Sequence, residues 1–224
     1  MRCTDETRTS ASDAHGGMRR VILLTGFGPF PGVPDNATAR LVPRLAKAAR
    51  ELFPAYDVVA EILPAEWTAA PRKLADLLAR PGPVLALHFG VSKHAEGFRI
   101  ELVGRNHCKV TADAAGYLPP GECVIDGAPA ELASTLPADR IVERLARLGV
   151  PARTSSDAGS FLCNALLYHS LAAAETLKEP PLVGFVHLPV ELPERNPHPG
   201  CRLDMRGAMA GGLEIVAECL KVIG

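Results

Sequence analysis

The chain has 224 residues, 47% of them hydrophobic and 22% charged, which is ordinary globular composition with apolar mass for one substantial core. A formal net charge of −1 speaks against an electrostatic grip on nucleic acid or an anionic membrane. No apolar run reaches the roughly 18–20 residues that cross a bilayer, and the opening MRCTDETRTSASDAHGGMRR is acidic in places and lacks a hydrophobic signal core, so the chain reads as cytoplasmic.

Residues 1–18 are small and polar without periodicity and read as a disordered leader before a single domain over 19–224. RVILLTGF (20–27) is an unbroken apolar run of the kind that forms a strand buried on both faces. Helical spacing follows over 36–53, with Asn36 or Thr38 as cap and Pro43 within the first two turns. DVVAEILP (57–64) predicts a second strand, 65–81 a helix broken at Pro71, and PVLALHFG (83–90) a third buried strand. Residues 91–135 carry scattered glycines and prolines; a structureless loop of that length is unusual, so hairpins and functional loops are expected there. ADRIVERLARLGV (138–150) is amphipathic and helical, and PARTSS (151–156) leads into a helix that starts near 157–160 and runs to about Leu177. PLVGFVHLPV (181–190) predicts the last buried strand, and 202–224 a closing helix loosened by Gly211 and Gly212. Strands alternating with helices specify a three-layer α/β/α sandwich with a mostly parallel mixed sheet. In such sheets working residues gather at the C-terminal strand ends, here 26–30, Gly90 onward, 155–163 and His187.

Six cysteines without a CxxC pair, and seven histidines without HxxxH or HExxH, ask for no metal, disulfide framework or cofactor. Cys163 follows SSDAGSFL and falls in the first turn of its helix, where unpaired N–H groups and the positive dipole end favour a thiolate. A space-filling thiol beneath the turn is the other reading. A cysteine nucleophile needs a base. His187, 24 residues on at a strand end, is placed for that role if its strand neighbours the Cys163 segment, although a lone histidine there can also be a hydrogen-bonded core residue. Glu101, among Phe98, Ile100, Leu102 and Val103, either orients an imidazole or occupies the exposed face of an ordinary strand. TGFGPFPGVPDN (25–36) has no phosphate-loop spacing; it offers Phe27 and Phe30 on a rigid turn with Asn36 beyond, which suits a small apolar pocket with a polar handle.

Together these segments resemble the pyroglutamyl-peptidase I (pyrrolidone-carboxylate peptidase) family of cysteine peptidases. Thr25, Gly26, Phe27, Pro29, Phe30 and Asn36 match its T-G-F-x-P-F opening and following asparagine. DAGSFLCN (157–164) matches its nucleophile motif D/T-A-G-x-[FY]-[VL]-C-[ND], and GFVHLP (184–189) its histidine motif. The family glutamate, eleven residues after the strand-ending glycine, falls on Glu101. The resemblance covers about 20–190. It implies a Cys163–His187–Glu101 triad that hydrolyses N-terminal pyroglutamyl residues from peptides through a thiol acyl-enzyme, without metal or cofactor, in a monomer or homo-tetramer. It also implies a substrate pocket drawn from Phe27, Phe30, Asn36, Val91, Phe161 and Leu162, with Phe27 and Phe30 sandwiching the lactam ring. The chain departs from bacterial members at ELVGRN, at Val91, and in having no arginine near NHCKVTADAAG to serve the oxyanion site; Lys109 is not assigned that role. Two other readings stay open: a binding protein on the same fold that has lost turnover, and a related α/β hydrolase with another substrate.

Overall fold

The structure, a computed structural model, describes residues 19–80, 83–198 and 200–224; the expected leader over 1–18 lies outside them. Eight strands and five helices follow in chain order: β1 Arg20–Phe27, α1 Ala37–Leu52, β2 Tyr56–Leu63, α2 Ala69–Leu78, β3 Pro83–Ser92, β4 Phe98–Glu101, β5 Val103–Arg105, β6 Glu131–Ala133, α3 Ala138–Arg147, β7 Ala152–Ser155, α4 Leu162–Glu175, β8 Leu182–Pro189 and α5 Met205–Ile223. Six strands form one mixed sheet in the order β2-β1-β3-β8-β4-β7, and β5 pairs with β6 in a small antiparallel ribbon. β2, β1, β3 and β8 are mutually parallel. β4 runs antiparallel to β8, and β7 runs parallel to β4.

The apolar strands are continuous because both faces of the sheet are covered. Ile22, Leu24, Leu85, Leu87, Val186 and Leu188 point into one core with α1, α3 and α5. Leu23, Ala86, Val183 and Phe185 point into a second core with α2 and α4. The architecture is therefore the three-layer α/β/α sandwich expected from the alternation of elements.

Several local expectations are corrected. The helix predicted over 65–81 is α2, ten residues long, and Pro71 is its third residue; proline in a first turn removes an N–H that has no partner there anyway, so the helix is not broken. The helices predicted over 138–150 and to Leu177 end at Arg147 and Glu175. PARTSS contains the strand β7, too short and polar to show period-2 alternation. Because β7 runs against β8, Ser155 lies level with Glu101 and Phe185 rather than on the rim beside His187, and residues 156–161 must climb back before α4 begins.

α5 is continuous through Gly211 and Gly212, not loosened there. A Cβ on Gly211 would sit 2.4 Å from Phe98 Cε2, and one on Gly212 3.0 Å from Leu45 Cδ1. The glycines let the helix lie close on the core, which offsets their poor helix propensity. Gly211→Ala is expected to destabilise the fold by about 1–3 kcal/mol through overpacking, read as a lower urea midpoint with unchanged slope.

Candidate active site

Successive residues of a strand face opposite sides of the sheet, so Phe185 and His187 of β8 share the side that α4 covers. Across the antiparallel pair, Glu101 stands opposite Phe185 and Arg99 opposite His187, on that same side. This register brings the Glu101 carboxylate diagonally beneath the imidazole, with His187 Nδ1 2.8 Å from Glu101 Oε1. Both groups are buried, Glu101 completely. Glu101 Oε2 has no hydrogen-bond partner among the described residues, and Arg99 Nε lies 3.6 Å from Oε1. The carboxylate thus depends on His187 and Arg99 to offset its desolvation.

Parallel to β8, β3 places Gly90 level with His187. A Cβ on Gly90 would lie 2.6 Å from Phe185 Cζ and 2.9 Å from Cys163 Sγ. The space a side chain there would need is filled by the Phe185 ring edge and, beside it, the thiol. Cys163 is the second residue of α4 and is half-buried. Burial alone would push His187 towards its neutral form, but the charge and hydrogen-bonding capacity of Cys163, followed by the hydrogen bond and charge of Glu101, outweigh it and raise the ring to about 9. The imidazole therefore lies between a sulfur and a carboxylate and holds its proton at neutral pH.

Two anchors set α4 against the sheet. Asn164, buried directly after the cysteine, accepts from Arg105 N at 2.8 Å and donates to the carbonyls of Arg105 and His107. Six residues on, Ser170 Oγ hydrogen-bonds His88 Nε2 at 2.9 Å, and His88 Nδ1 bonds Thr25 Oγ1 at 2.8 Å. Burial pushes His88 down to about 3, so it stays neutral and ties β1, β3 and α4 together. The start of α4 has no side-chain cap, since Phe161 occupies the capping position. Its first N–H groups have no acceptor within the helix and can receive a negative oxygen beside the sulfur.

These groups open onto a cavity of about 320 Å³. Phe30, Val33, Val91, Phe161 and Val190 make its apolar part, and Lys93, His94, Arg99 and Asp157 its polar lip. Of the residues singled out in the sequence for substrate, Phe30, Val91 and Phe161 line this cavity. Phe27 and Leu162 do not: Phe27 faces the core against Phe185, ring centroids 6.5 Å apart, and Leu162 is packed into that same core. The aromatic pair at the cavity is therefore Phe30 with Phe161, centroids 6.2 Å apart, rather than Phe30 with Phe27. Asn36 also lies off the wall; its side chain accepts from Thr38 N and donates to the Gly28 carbonyl, fixing the turn that carries Phe30.

Three further residues escaped sequence reasoning. Trp67 packs edge-on against Phe161 at 5.0 Å and is held by Asp113, which accepts from its backbone N–H. Arg99 reaches down to Ser155 Oγ and the Asp157 carbonyl, steadying the segment before the cysteine. Asn164 is the third, although a polar residue beside a helical cysteine was a visible signal. Among the described residues no three His, Cys, Asp or Glu side chains gather as metal ligands.

Comparison with known proteins gives this geometry its context. The family model described as pyroglutamyl peptidase matches residues 20–198. The chain belongs to the pyroglutamyl peptidase family. It is 36% identical over 209 residues to a pyrrolidone-carboxylate peptidase of Cupriavidus pinatubonensis, covering 90% of this chain and 93% of that protein. It is 32% identical over 175 residues to the pyrrolidone-carboxylate peptidase of Pyrococcus furiosus, covering 78% and 82%. A crystal structure of pyrrolidone carboxyl peptidase from Pyrococcus furiosus superposes with a TM-score of 0.82 at 27% identity, over 91% of this chain and all of that one. For this member of the family, Gly90→Ala is expected to press on both the Phe185 ring and the thiol, lowering stability somewhat and displacing the thiol from His187. A misplacement of about 1 Å costs roughly a hundredfold in turnover, measured as kcat alongside an unchanged far-UV spectrum.

Proposed function

We propose that this chain removes N-terminal pyroglutamyl residues from peptides with Cys163 as nucleophile, His187 as proton carrier and Glu101 as the group that holds the imidazole. The observation that supports the assignment best is His187 bonded through Nδ1 to a fully buried carboxylate while its other side faces Cys163, which lines the same cavity. Cys163 attacks the pyroglutamyl carbonyl; the carbonyl oxygen gathers charge against the uncapped N–H groups of α4. His187, protonated, gives its proton to the departing amine, and the acyl group remains on sulfur as a thioester. A water molecule then attacks, with neutral His187 taking its proton, and the thiol is released. The lactam ring fits the apolar end formed by Phe30 and Phe161, with Trp67 as backing.

The single-domain reading over 19–224 is supported by both cores sharing one sheet. A cytoplasmic location is in keeping with five free thiols among the described residues. No helix of the described residues is long and apolar enough to cross a membrane.

The fluorogenic pyroglutamyl-aminomethylcoumarin is expected to be cleaved by the wild type and not by Cys163→Ala, with the prolyl conjugate untouched by both. Cleavage that survives in Cys163→Ala removes the cysteine from the mechanism. The pH profile has a definite direction: His187 donates to the leaving amine only while protonated, and its proton is held up to about 9, so kcat/KM, which reports the free enzyme and the acylation step, should fall as pH rises through that value. Glu101→Gln removes the carboxylate charge, a smaller support for the ring's proton than Cys163, and should move this basic limb down by part of the rise; a basic limb that stays in place argues against the pairing.

A further inference from the structure

The side of the cavity away from the lactam pocket carries a feature that the reaction above does not use. Register places Gly90, His187, Arg99 and Arg153 in one row across β3, β8, β4 and β7, on one face of the sheet. Strands lie about 4.8 Å apart, so Arg99 stands one step from His187 and Arg153 two steps, about 10 Å. Like charges directly opposite one another repel. Glu101 partly offsets Arg99, but among the described residues no carboxylate comes within ion-pair distance of Arg153, whose guanidinium instead donates to the His94 carbonyl at 3.1 Å. Beside the row is a second cavity of about 260 Å³, lined by Arg99, Arg153 and Arg202 with Glu96 as its one acidic wall residue. Arg99 lines this cavity and the catalytic one, so the two adjoin. Lys93 adds a further cation on the lip of the catalytic cavity.

We propose that this arginine row is a carboxylate subsite for the leaving side of the substrate, selecting pyroglutamyl di- and tripeptides with a free C-terminus. The proposal rests on the peptidase reading and adds the substrate class. An extended residue spans about 3.3–3.6 Å. A carboxylate one residue beyond the scissile amide therefore falls level with Arg99, and one two residues beyond comes within side-chain reach of Arg153. Arg153 suits this task because a guanidinium's planar fork meets a carboxylate with two parallel hydrogen bonds, while Arg99, whose Nη2 donates to Ser155 Oγ and the Asp157 carbonyl, contributes charge. Longer peptides carry their C-terminal charge past the row.

The test compares pyroglutamyl-alanyl-alanine with its C-terminal amide, in two readouts. Binding of each to the Cys163→Ala protein is measured by calorimetry, and kcat/KM of each is measured in proteins with Cys163 intact. The free acid is expected to bind about tenfold more tightly, the scale of one hydrogen-bonded charge contact, and to show the same preference in kcat/KM through KM. Arg153→Gln should reduce that preference to about twofold, Arg153→Lys should retain part of it, and Arg147→Gln on the exposed face of α3 should retain all of it. Equal binding of acid and amide overturns the subsite, and so does a preference that survives Arg153→Gln intact. If the acid preference is present in binding but wild type cleaves neither peptide nor the neutral coumarin amide, the peptidase reading fails while the subsite stands.

Discussion

A carboxylate without solvent is the constraint around which the site is arranged. Glu101 is wholly buried, and a charge in that position is tolerable only with partners at close range. Those partners come from the reversal of a single strand. Because β4 runs antiparallel to β8, Glu101 and Arg99 share a face with His187, and the carboxylate meets the imidazole without any loop having to deliver it. The imidazole in turn requires an open position on β3, which Gly90 supplies, and a helix start that places a sulfur in it. Each of these residues sits on a strand or in the first turn of a helix, which holds reacting groups more firmly than a loop would.

The two cores contribute unequally to this geometry. The core under α1, α3 and α5 is almost purely apolar, and its fit is a matter of shape, as where α5 rides on Phe98 through Gly211. The core under α2 and α4 contains a polar column, Thr25–His88–Ser170, in which each side chain is satisfied by the next. Apolar packing tolerates sliding of a helix by a fraction of a turn; hydrogen bonds of fixed length do not. With Asn164 docked on β5 and Ser170 docked on β3, α4 has two fixed points about a turn and a half apart, and the thiol lies at the end nearer the first.

Much of this was legible in the sequence because the decisive signals are local. The parallel strands announce themselves as unbroken apolar runs, and Cys163, His187 and Glu101 each stand out as a polar or reactive group in an apolar setting. What could not be read is what depends on strand direction and on neighbours far apart in the chain. β7 is four residues with three polar side chains, so nothing in ARTS declares it a strand or gives its direction. Phe27 looked equivalent to Phe30 in TGFGPF, yet it is the last residue of β1 and the pleat turns it into the core, while Phe30 lies beyond the strand and is free to face the cavity. Arg99 and Trp67 acquire meaning only when β4 is laid beside β8 and the loop holding Asp113 is folded against residues 65–67.

The position of β7 at the margin of the sheet has another consequence. An outer strand exposes unpaired backbone groups to any extended chain that drifts alongside, and long, flat, uncharged margins invite such pairing. This one is only four residues long and carries Arg153 in its middle, exposed to solvent. Brevity and charge together make it a poor template for a further strand. The cation that extends the row from His187 thus also guards the sheet against growth by pairing with a further strand.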